Sequence, residues 1–289
     1  MTALFALTKR NLLIFFKDKA AVFFSLLSVL IIILLYVMFL GNVMMSGNQD
    51  TPGFRFMMDS WIMAGLIAVA SVSSTMGAFG TMVDDRTRKI LKDFSVAPMS
   101  RTYLTGGYVL SAYLVGVIMS AISLVFAQIY IIAYGGDFLS TSALLRAFGV
   151  ILLSAFASSS MMFFLVSLFK SQNAFSAASA IIGTLIGFLT GIYVPIGNLP
   201  DVMQFVVKIF PISHAGALLR QIMMEEPMQV VFEGAPVQAV SEFSESLGVV
   251  FSFNGNEVSV LSSVLILVAT GIFFYVLAVF NMSRKKSEA

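Results

Sequence analysis

The chain alternates long apolar runs with short polar segments, and this pattern predicts membrane-spanning helices. A helix needs about 20 mostly apolar residues to cross about 30 Å of hydrocarbon. Six segments meet this requirement and predict an all-α polytopic membrane protein, with spans at 20–40, 61–83, 103–134, 147–169, 174–194 and 261–281. The third run is longer than a bilayer is thick, so we expect its first turns to lie in water.

Residues 195–224 are also apolar, but prolines interrupt them. Pro195, Pro200 and Pro211 leave pieces that are too short to cross. Proline removes a helix hydrogen bond and clashes with the preceding turn. The pattern therefore predicts two short helices, at about 201–210 and 213–224, that lie in the membrane interface or dip into it.

The segment 225–260 is polar, with six Glu and no Lys or Arg. Its Asn254-Gly255 pair between β-prone runs predicts a hairpin at 249–260, because Asn-Gly favours the positive φ angles of a type I′ turn. With a third strand at 228–232 and a helix at 236–247, we expect a small extracellular α/β cap before the last span. Its role is either that of a structural lid or that of substrate selection or partner docking.

Composition supports a membrane protein and excludes several kinds of chemistry. Charged residues make up 11% of the chain, against about 25% in soluble domains, and the mean hydropathy is +0.95. The absence of cysteine excludes disulfides, thiolate metal sites and a Cys nucleophile. The sequence also lacks a phosphate-binding Gly-rich loop and paired metal ligands. We therefore expect no catalysis, no metal and no cofactor bound by this chain.

The charges predict how the chain is oriented. Six spans place 13 of the 17 Lys and Arg on the side of the termini, which gives that side a net charge of +8 and the opposite side −6. Positive loops stay in the cytoplasm, so both termini are predicted to be cytoplasmic. The central thirds of the spans carry no charge, which disfavours an ion-driven carrier that works alone.

Two cytoplasmic segments have patterns of their own. Residues 1–19 are interpreted either as an ordinary positive flank or as a helix that lies along the membrane interface. In the loop 84–102, opposite charges at i,i+4 predict a helix over Asp84–Phe94 that Pro98 would follow. That loop is either a solvated segment or a docking helix for a soluble partner. Its candidate residues are Asp84, Asp85, Arg86, Arg88, Lys89, Leu91, Phe94 and Pro98.

The order of short motifs resembles a known family. Lys9-Arg10-Asn11 precedes the first span and Pro98-Met99-Ser100-Arg101 follows the second; later come Gly191–Ile196, Leu199-Pro200, Phe210–His214 and Leu219-Arg220. Over about residues 5–282, the chain resembles the permease subunit of a type-2 ATP-binding-cassette exporter. That group includes drug, antibiotic and polysaccharide exporters.

The resemblance implies roles for the segments and partners for the chain. Residues 1–19 would be the connecting helix, 84–102 the coupling loop on the ATPase, and 195–224 the re-entrant helices that cap the exit, with gate residues Pro195, Pro200, Pro211 and His214. The implied partners are two ATPase copies that bind ATP and Mg²⁺, a second permease copy or close paralogue, and membrane lipid, with no nucleic acid. The implied location is the cell membrane of a bacterium. The segment 225–260 departs from simpler members of the family.

Small and weakly polar residues suggest a path through the membrane. Gly183, Gly187 and Gly191 form a stripe on the fifth span, which serves either packing within one subunit or the two-fold interface. A weakly polar cavity with Met and Phe suits an amphiphile better than a highly charged solute. The candidate path residues are Ser74, Met76, Phe79, Gly183, Thr184, Gly187, Phe188 and Gly191.

The expected function is export of hydrophobic or amphiphilic compounds, such as drugs, antibiotics or lipid-like molecules, driven by a separate ATPase. Three alternatives remain open: a permease for polysaccharides or glycolipids, a sensor or immunity permease that binds a ligand without moving it, and an ion-driven carrier. The sequence names neither the substrate nor the ATPase, and it does not decide between a homodimer and a heterodimer.

Overall fold

The computed structural model describes residues 2–41, 51–90, 101–169, 171–253 and 255–284. The long helices of the first two thirds are α1 (Thr2–Lys17), α2 (Lys19–Leu35, continued by a π-helical turn at Tyr36–Leu40), α3 (Phe54–Thr87), α4 (Arg101–Ala133), α5 (Thr141–Leu168) and α6 (Gln172–Leu189). After a 3₁₀ turn at Ile196–Asn198 come α7 (Asp201–Ile209), α8 (Pro211–Met223), α9 (Glu225–Val231), α10 (Val237–Ser246), β1 (Ser252–Phe253), β2 (Asn256–Glu257) and α11 (Val260–Arg284).

The described helices confirm an all-α polytopic membrane protein. Five of them, α3, α4, α5, α6 and α11, are long and apolar enough to cross a membrane. The first predicted span falls on α2 and its π-helical turn, which bend by 45° between Leu27 and Val29. The helices α7 and α8 form a second bent pair, at 85°. The total reaches seven if each bent pair is one span, so the number six stays a prediction.

Helix α3 is the centre of the described structure. In the most apolar stretch of 18 residues of this helix, 89% of the residues are buried. The helix packs against α2, α4, α5, α6 and α8. Small side chains permit this close packing: a Cβ at Gly116 of α4 would lie 2.6 Å from the methyl group of Thr75. The hydroxyl of Ser71 lies 2.7 Å from that of Ser154 and 3.0 Å from that of Ser158, which joins α3 to α5.

Helix α6 is attached much more loosely. Only 17% of its 18 residues are buried, and its main contact is with α3. The chain reverses after α6 at Gly191, where φ is +63°. A Cβ at Gly187 would collide with the ring of Tyr193, so the reversed chain covers the last turn of the helix. The other turns of α6 expose most of their side chains.

The segment 225–260 corrects part of the predicted cap. A helix is present at the predicted place as α10, and a hairpin pairs Ser252 with Glu257 and Phe253 with Asn256, although each strand has only two residues. Asn254 of the predicted turn lies outside the described residues. The third strand at 228–232 is wrong, because α9 occupies that segment. Acidic residues and a proline in its first turn favour a helix start over the strand preference of Val230 and Val231.

The predicted helix Asp84–Phe94 is interrupted near its start. Helix α3 ends at Thr87, and Arg88 and Lys89 form a turn in which Lys89 has a φ of 62°. A left-handed residue ends an α-helix, so Lys89 does not lie on the same helical surface as Asp84 and Asp85. Leu91, Phe94 and Pro98 lie outside the described residues.

Candidate functional site

The residues predicted for coupling begin with a buried carboxylate. We call Arg10, Asp85 and Tyr108 the Asp85 network. Arg10 donates from Nη1 to Oδ2 of Asp85 at 2.6 Å and from Nη2 to Oδ1 at 2.9 Å, and the Tyr108 hydroxyl donates to Oδ2 at 2.5 Å. The hydrogen bonds to Asp85 raise the pKa of Arg10 above its ordinary value, so the guanidinium stays charged. The network joins α1, α3 and α4 at one point.

This geometry corrects the pairing expected for Asp85. Asp85 and Lys89 are one of the i,i+4 pairs of opposite charge from which the helix Asp84–Phe94 was predicted, and on such a helix they would pair at the surface. In the structure Asp85 is 4% exposed and pairs with Arg10. Lys89 follows the end of α3 and lies in the left-handed turn, which removes the i,i+4 spacing on which the expected pair depends.

The remaining loop residues divide into anchored and exposed ones. Arg86 donates to the backbone carbonyl of Phe169, at the end of α5, at 2.7 Å. Asp84 is half-buried, whereas Arg88 and Lys89 are exposed. Asp85 and Arg86 therefore hold helices together, whereas Arg88 and Lys89 are the charged residues of the described loop whose side chains are exposed.

Helix α1 packs directly against α4 next to this network. A Cβ at Gly107 would lie 2.7 Å from the Cβ of Leu7, and one at Gly106 would lie 3.0 Å from Leu4. On the opposite side of α1, Phe5 is 62% exposed. Residues 2–17 are thus a packed helix with an apolar outer side, and its position at the membrane interface stays a prediction.

Helices α2, α3 and α6 enclose an open groove of about 670 Å³. Four of the predicted path residues line it: Met76, Gly183, Thr184 and Phe188. Its other described lining residues are Ala21, Phe24, Ser25, Leu27, Ile31, Val72, Ser73, Gly77, Phe175, Ser179, Ala180, Ile182, Ile186 and Tyr193. Within this described lining no residue is charged.

The other four predicted path residues do not line the groove. Ser74 is fully buried and donates to a carbonyl of its own helix at 2.5 Å. Phe79 is 1% exposed and stacks on a ring of α5. Gly187 lies under Tyr193, and Gly191 forms the turn after α6. The path residues therefore split between an open surface and the packed interior.

A buried cation on α8 joins the C-terminal ends of two other helices. We call this contact the Arg220 junction. Arg220 is 0% exposed; its Nη2 donates to the carbonyls of Thr190 and Gly191 at 3.1 and 3.2 Å, and its Nη1 to that of Gly248 at 3.3 Å. Its guanidinium carbon lies 5.0 Å from the ring centroid of Trp61. Thr190 caps the C-terminus of α6 and Gly248 follows α10, so the cation meets the negative ends of two helix dipoles.

The residues predicted as a gate shape this same region. Pro200 and Pro211 begin α7 and α8, where a missing N–H is tolerated. His214 is 1% exposed; its Nε2 lies 3.0 Å from the Lys208 carbonyl and its Nδ1 lies 3.2 Å from the Ser263 hydroxyl. The imidazole therefore ties α8 to its neighbours. Pro195, Pro200, Pro211 and His214 do not line the α2/α3/α6 groove.

Sequence reasoning missed the residues that make these junctions. Arg10 and Arg220 were used only for motif order and charge counting, Trp61 was only the first residue of the second predicted span, and Tyr108 had no role. The available signals were an Arg inside an apolar segment and the single Trp of the chain at the start of a span. Trp61 donates from Nε1 to the Leu247 carbonyl at 2.7 Å.

Comparison with known proteins decides the family. A family model described as "ABC-2 family transporter protein" matches residues 45–280, which is most of the chain. This chain belongs to the ABC-2 transporter family. Nodulation protein J of Rhizobium leguminosarum bv. trifolii is 27% identical over 213 residues, which cover 73% of this chain and 78% of that protein. The ABC-2 chain is thus the multi-pass membrane component of a transporter and is not itself catalytic.

Proposed function

We propose that this ABC-2 chain is the permease of an exporter that moves hydrophobic or amphiphilic compounds, such as drugs, antibiotics or lipid-like molecules, out of the cell. The observation that carries the proposal is the uncharged lining of the α2/α3/α6 groove, where aromatic rings and Met76 alternate with hydroxyl groups. Such a surface buries apolar area well and offers few partners to a highly charged solute.

The exposed face of α6 supports a complex of two permeases. Ile181, Leu185 and Phe188 are 60, 48 and 41% exposed, and a Cβ at Gly183 would meet nothing within 4 Å. A second copy, or a close paralogue, would cover this face and turn two open grooves into one enclosed path. The glycine stripe would then serve both packing within one subunit and the two-fold interface, because Gly187 packs within the chain and Gly183 faces the partner.

The proposed energy source is a separate ATPase pair that binds ATP and Mg²⁺. Residues 91–100 follow α3 in the sequence, and we assign Leu91 and Phe94 to the contact with that ATPase. Because the Asp85 network fixes the end of α3 to α1 and α4, a push on this loop would move a helix that lines the groove. In this proposal both termini lie in the cytoplasm of a bacterial cell.

Transport by inside-out vesicles tests the proposal. Vesicles that contain the permease and its ATPase are expected to accumulate a fluorescent amphiphile only when ATP is hydrolysed. Accumulation without ATP or ATPase would instead establish an ion-driven carrier. Binding without accumulation would indicate a sensor, and transport of polysaccharide alone would reassign the substrate.

A substitution in the loop tests the coupling. Phe94→Asp is expected to abolish stimulation of the ATPase by the permease, because a charge would replace the apolar contact, while the amount of inserted permease stays unchanged. The matched control is Val237→Asp, since Val237 is 85% exposed on α10. Normal stimulation by the Phe94 variant would contradict the assignment of this loop.

A further inference from the structure

The hydroxyl groups of the α2/α3/α6 groove have a common arrangement. Besides Tyr193, the described lining contains four hydroxyl side chains, on Ser25, Ser73, Ser179 and Thr184. A hydroxyl carries one donor hydrogen and two acceptor lone pairs, so its use by the protein decides what it can offer a ligand.

Each of these four hydroxyls gives its hydrogen to a backbone carbonyl of its own helix. Ser25 donates at 2.8 Å, Ser179 and Thr184 at 2.9 Å each, and Ser73 at 3.2 Å. These are bonds to the carbonyl three or four residues earlier, and they are the usual way in which Ser and Thr satisfy themselves inside an apolar helix. The groove therefore presents hydroxyl oxygens whose lone pairs remain available and whose hydrogens are already used.

The rest of the lining adds acceptors of a different kind. Phe24, Phe175, Phe188 and Tyr193 contribute aromatic rings, whose faces attract cations. Backbone N–H groups of α2, α3 and α6 are used within the helices. Among the described lining residues, the hydroxyl of Tyr193 is thus the side-chain donor that remains, and positive charge is absent.

We infer that the groove selects amphiphiles whose polar group donates hydrogen bonds or carries a positive charge, and that it rejects amphiphiles with an anionic group. An alcohol, an amine or an ammonium group can donate hydrogen bonds to the hydroxyl oxygens of the groove. An ammonium group can also contact the aromatic faces. A sulfate, phosphate or carboxylate would lose its hydrogen bonds to water on entering the groove, and the groove has too few donors to replace them. The inference rests on the proposed role of the groove as the substrate site, but it concerns binding and does not require ATP.

Three probes with one alkyl chain test this selectivity: dodecylammonium, 1-dodecanol and dodecyl sulfate, each below its micelle-forming concentration. The chain has no cysteine, so a single Ala180→Cys change, at a residue that lines the groove, carries an environment-sensitive fluorophore. The purified protein is held in phosphatidylcholine nanodiscs. The same label at Ile272→Cys, in the separate cleft between α4, α5 and α11, corrects for partition of each probe into lipid.

Two variants that lack a hydroxyl distinguish hydrogen bonding from nonspecific hydrophobic binding. Thr184→Val keeps the shape of an exposed side chain and removes one acceptor, and Ser73→Ala removes another. The matched control is Ser159→Ala, which removes a hydroxyl with a similar intrahelical bond, of 3.1 Å, from the other cleft.

We expect dodecylammonium to bind about ten-fold more tightly than dodecyl sulfate, since an unmatched anion loses at least one strong hydrogen bond. The double variant Ser73→Ala/Thr184→Val should weaken dodecylammonium and dodecanol about three-fold or more and leave dodecyl sulfate unchanged. Equal or tighter binding of dodecyl sulfate, no binding of any probe, or unchanged affinities in the double variant would overturn the inference. If the expected order holds while ATP-driven transport fails, the export proposal is wrong and the binding inference stands.

Discussion

Arg220 shows how one side chain can organise several helix ends. Among the described residues no carboxylate pairs with Arg220, and a fully buried cation is costly in a membrane protein unless acceptors surround it. Two of its nitrogens reach three carbonyls that follow the ends of α6 and α10. The planar fork of arginine suits this task, because a lysine ammonium is a single point that cannot reach both helix ends at once.

We therefore predict that Arg220→Lys destabilises the protein by about 2–4 kcal/mol, because carbonyls on two helices would lose their donors. Thermal unfolding of the purified protein in detergent measures the change. Arg146→Lys is the matched control, since Arg146 and its partner Glu225 are half-exposed and such pairs contribute about 0–1 kcal/mol. Equal losses in the two variants would show that the junction has no special role.

Asp85 provides a second test at the scale of one residue. Asp85→Asn is expected to lower stability by about 1–3 kcal/mol, because Arg10 and Tyr108 would lose a charged acceptor. The neighbouring Asp84→Asn, at a half-buried position, should change stability by less than about 0.5 kcal/mol. Chemical denaturation of the two variants side by side gives both values; a smaller loss for Asp85→Asn than for Asp84→Asn would contradict the network.

At the scale of the element, the contact between α1 and α4 depends on glycine. The two helices approach so closely that Gly107 has no room for a Cβ beside Leu7. Residues 1–19 were interpreted either as a positive flank or as an interfacial helix, and the structure uses part of this helix for packing on α4. The Asp85 network lies at the same contact, so α1 and the end of α3 are fixed together.

Gly107→Ala tests this contact. The added methyl group should force α1 away from α4 and cost about 1–3 kcal/mol, as overpacking does. Gly149→Ala, in α5, is the control, because a Cβ there meets nothing and alanine favours the helix by about 1 kcal/mol. Opposite signs in thermal unfolding are expected, and the Gly107 variant should also reduce stimulation of the ATPase. A stabilised Gly107 variant would refute the close contact.

At the scale of the whole molecule, the uneven burial of the helices supports the position that we propose for a second copy. Helix α3 is enclosed on every side, whereas α6 packs on one side and exposes the other. Apolar exposure alone is expected for a lipid-facing helix. The combination of an open groove and the uncovered Gly183 on one face favours a protein partner there.

Cysteine cross-linking tests this arrangement, because the chain has no cysteine of its own. Ile181→Cys is expected to form a disulfide-linked dimer in membranes under mild oxidation, since the proposed two-fold axis brings two copies of α6 together. Ile272→Cys, which is 54% exposed on α11, should stay monomeric under the same conditions. Dimers formed through Ile272 and not through Ile181 would place the interface on the opposite face.

The sequence predicted those elements of the fold that a long apolar run or a chemically distinct residue such as proline marks locally. Uninterrupted apolar runs predicted five helices that the structure contains, and prolines predicted the break between α7 and α8. Short segments were less predictable: Met228–Phe232 has strand-like residues, but the acidic residues and Pro227 at the start of α9 favoured a helix. The candidate site was half predictable, because Met76, Gly183, Thr184 and Phe188 face the groove while Ser74 and Phe79 on the same predicted path face the interior.

The sequence by itself determined that this is a membrane protein built of apolar helices, because hydrophobic length and charge content act locally and need no partner segment. Only the tertiary structure decided which residues meet. Asp85 pairs with Arg10, 75 positions away, and Arg220 donates to the end of α6, 30 positions away. Burial made these distant groups the available hydrogen-bond partners. It also decided which face of α6 stays open, since exposure depends on how neighbouring helices pack and not on the composition of the helix.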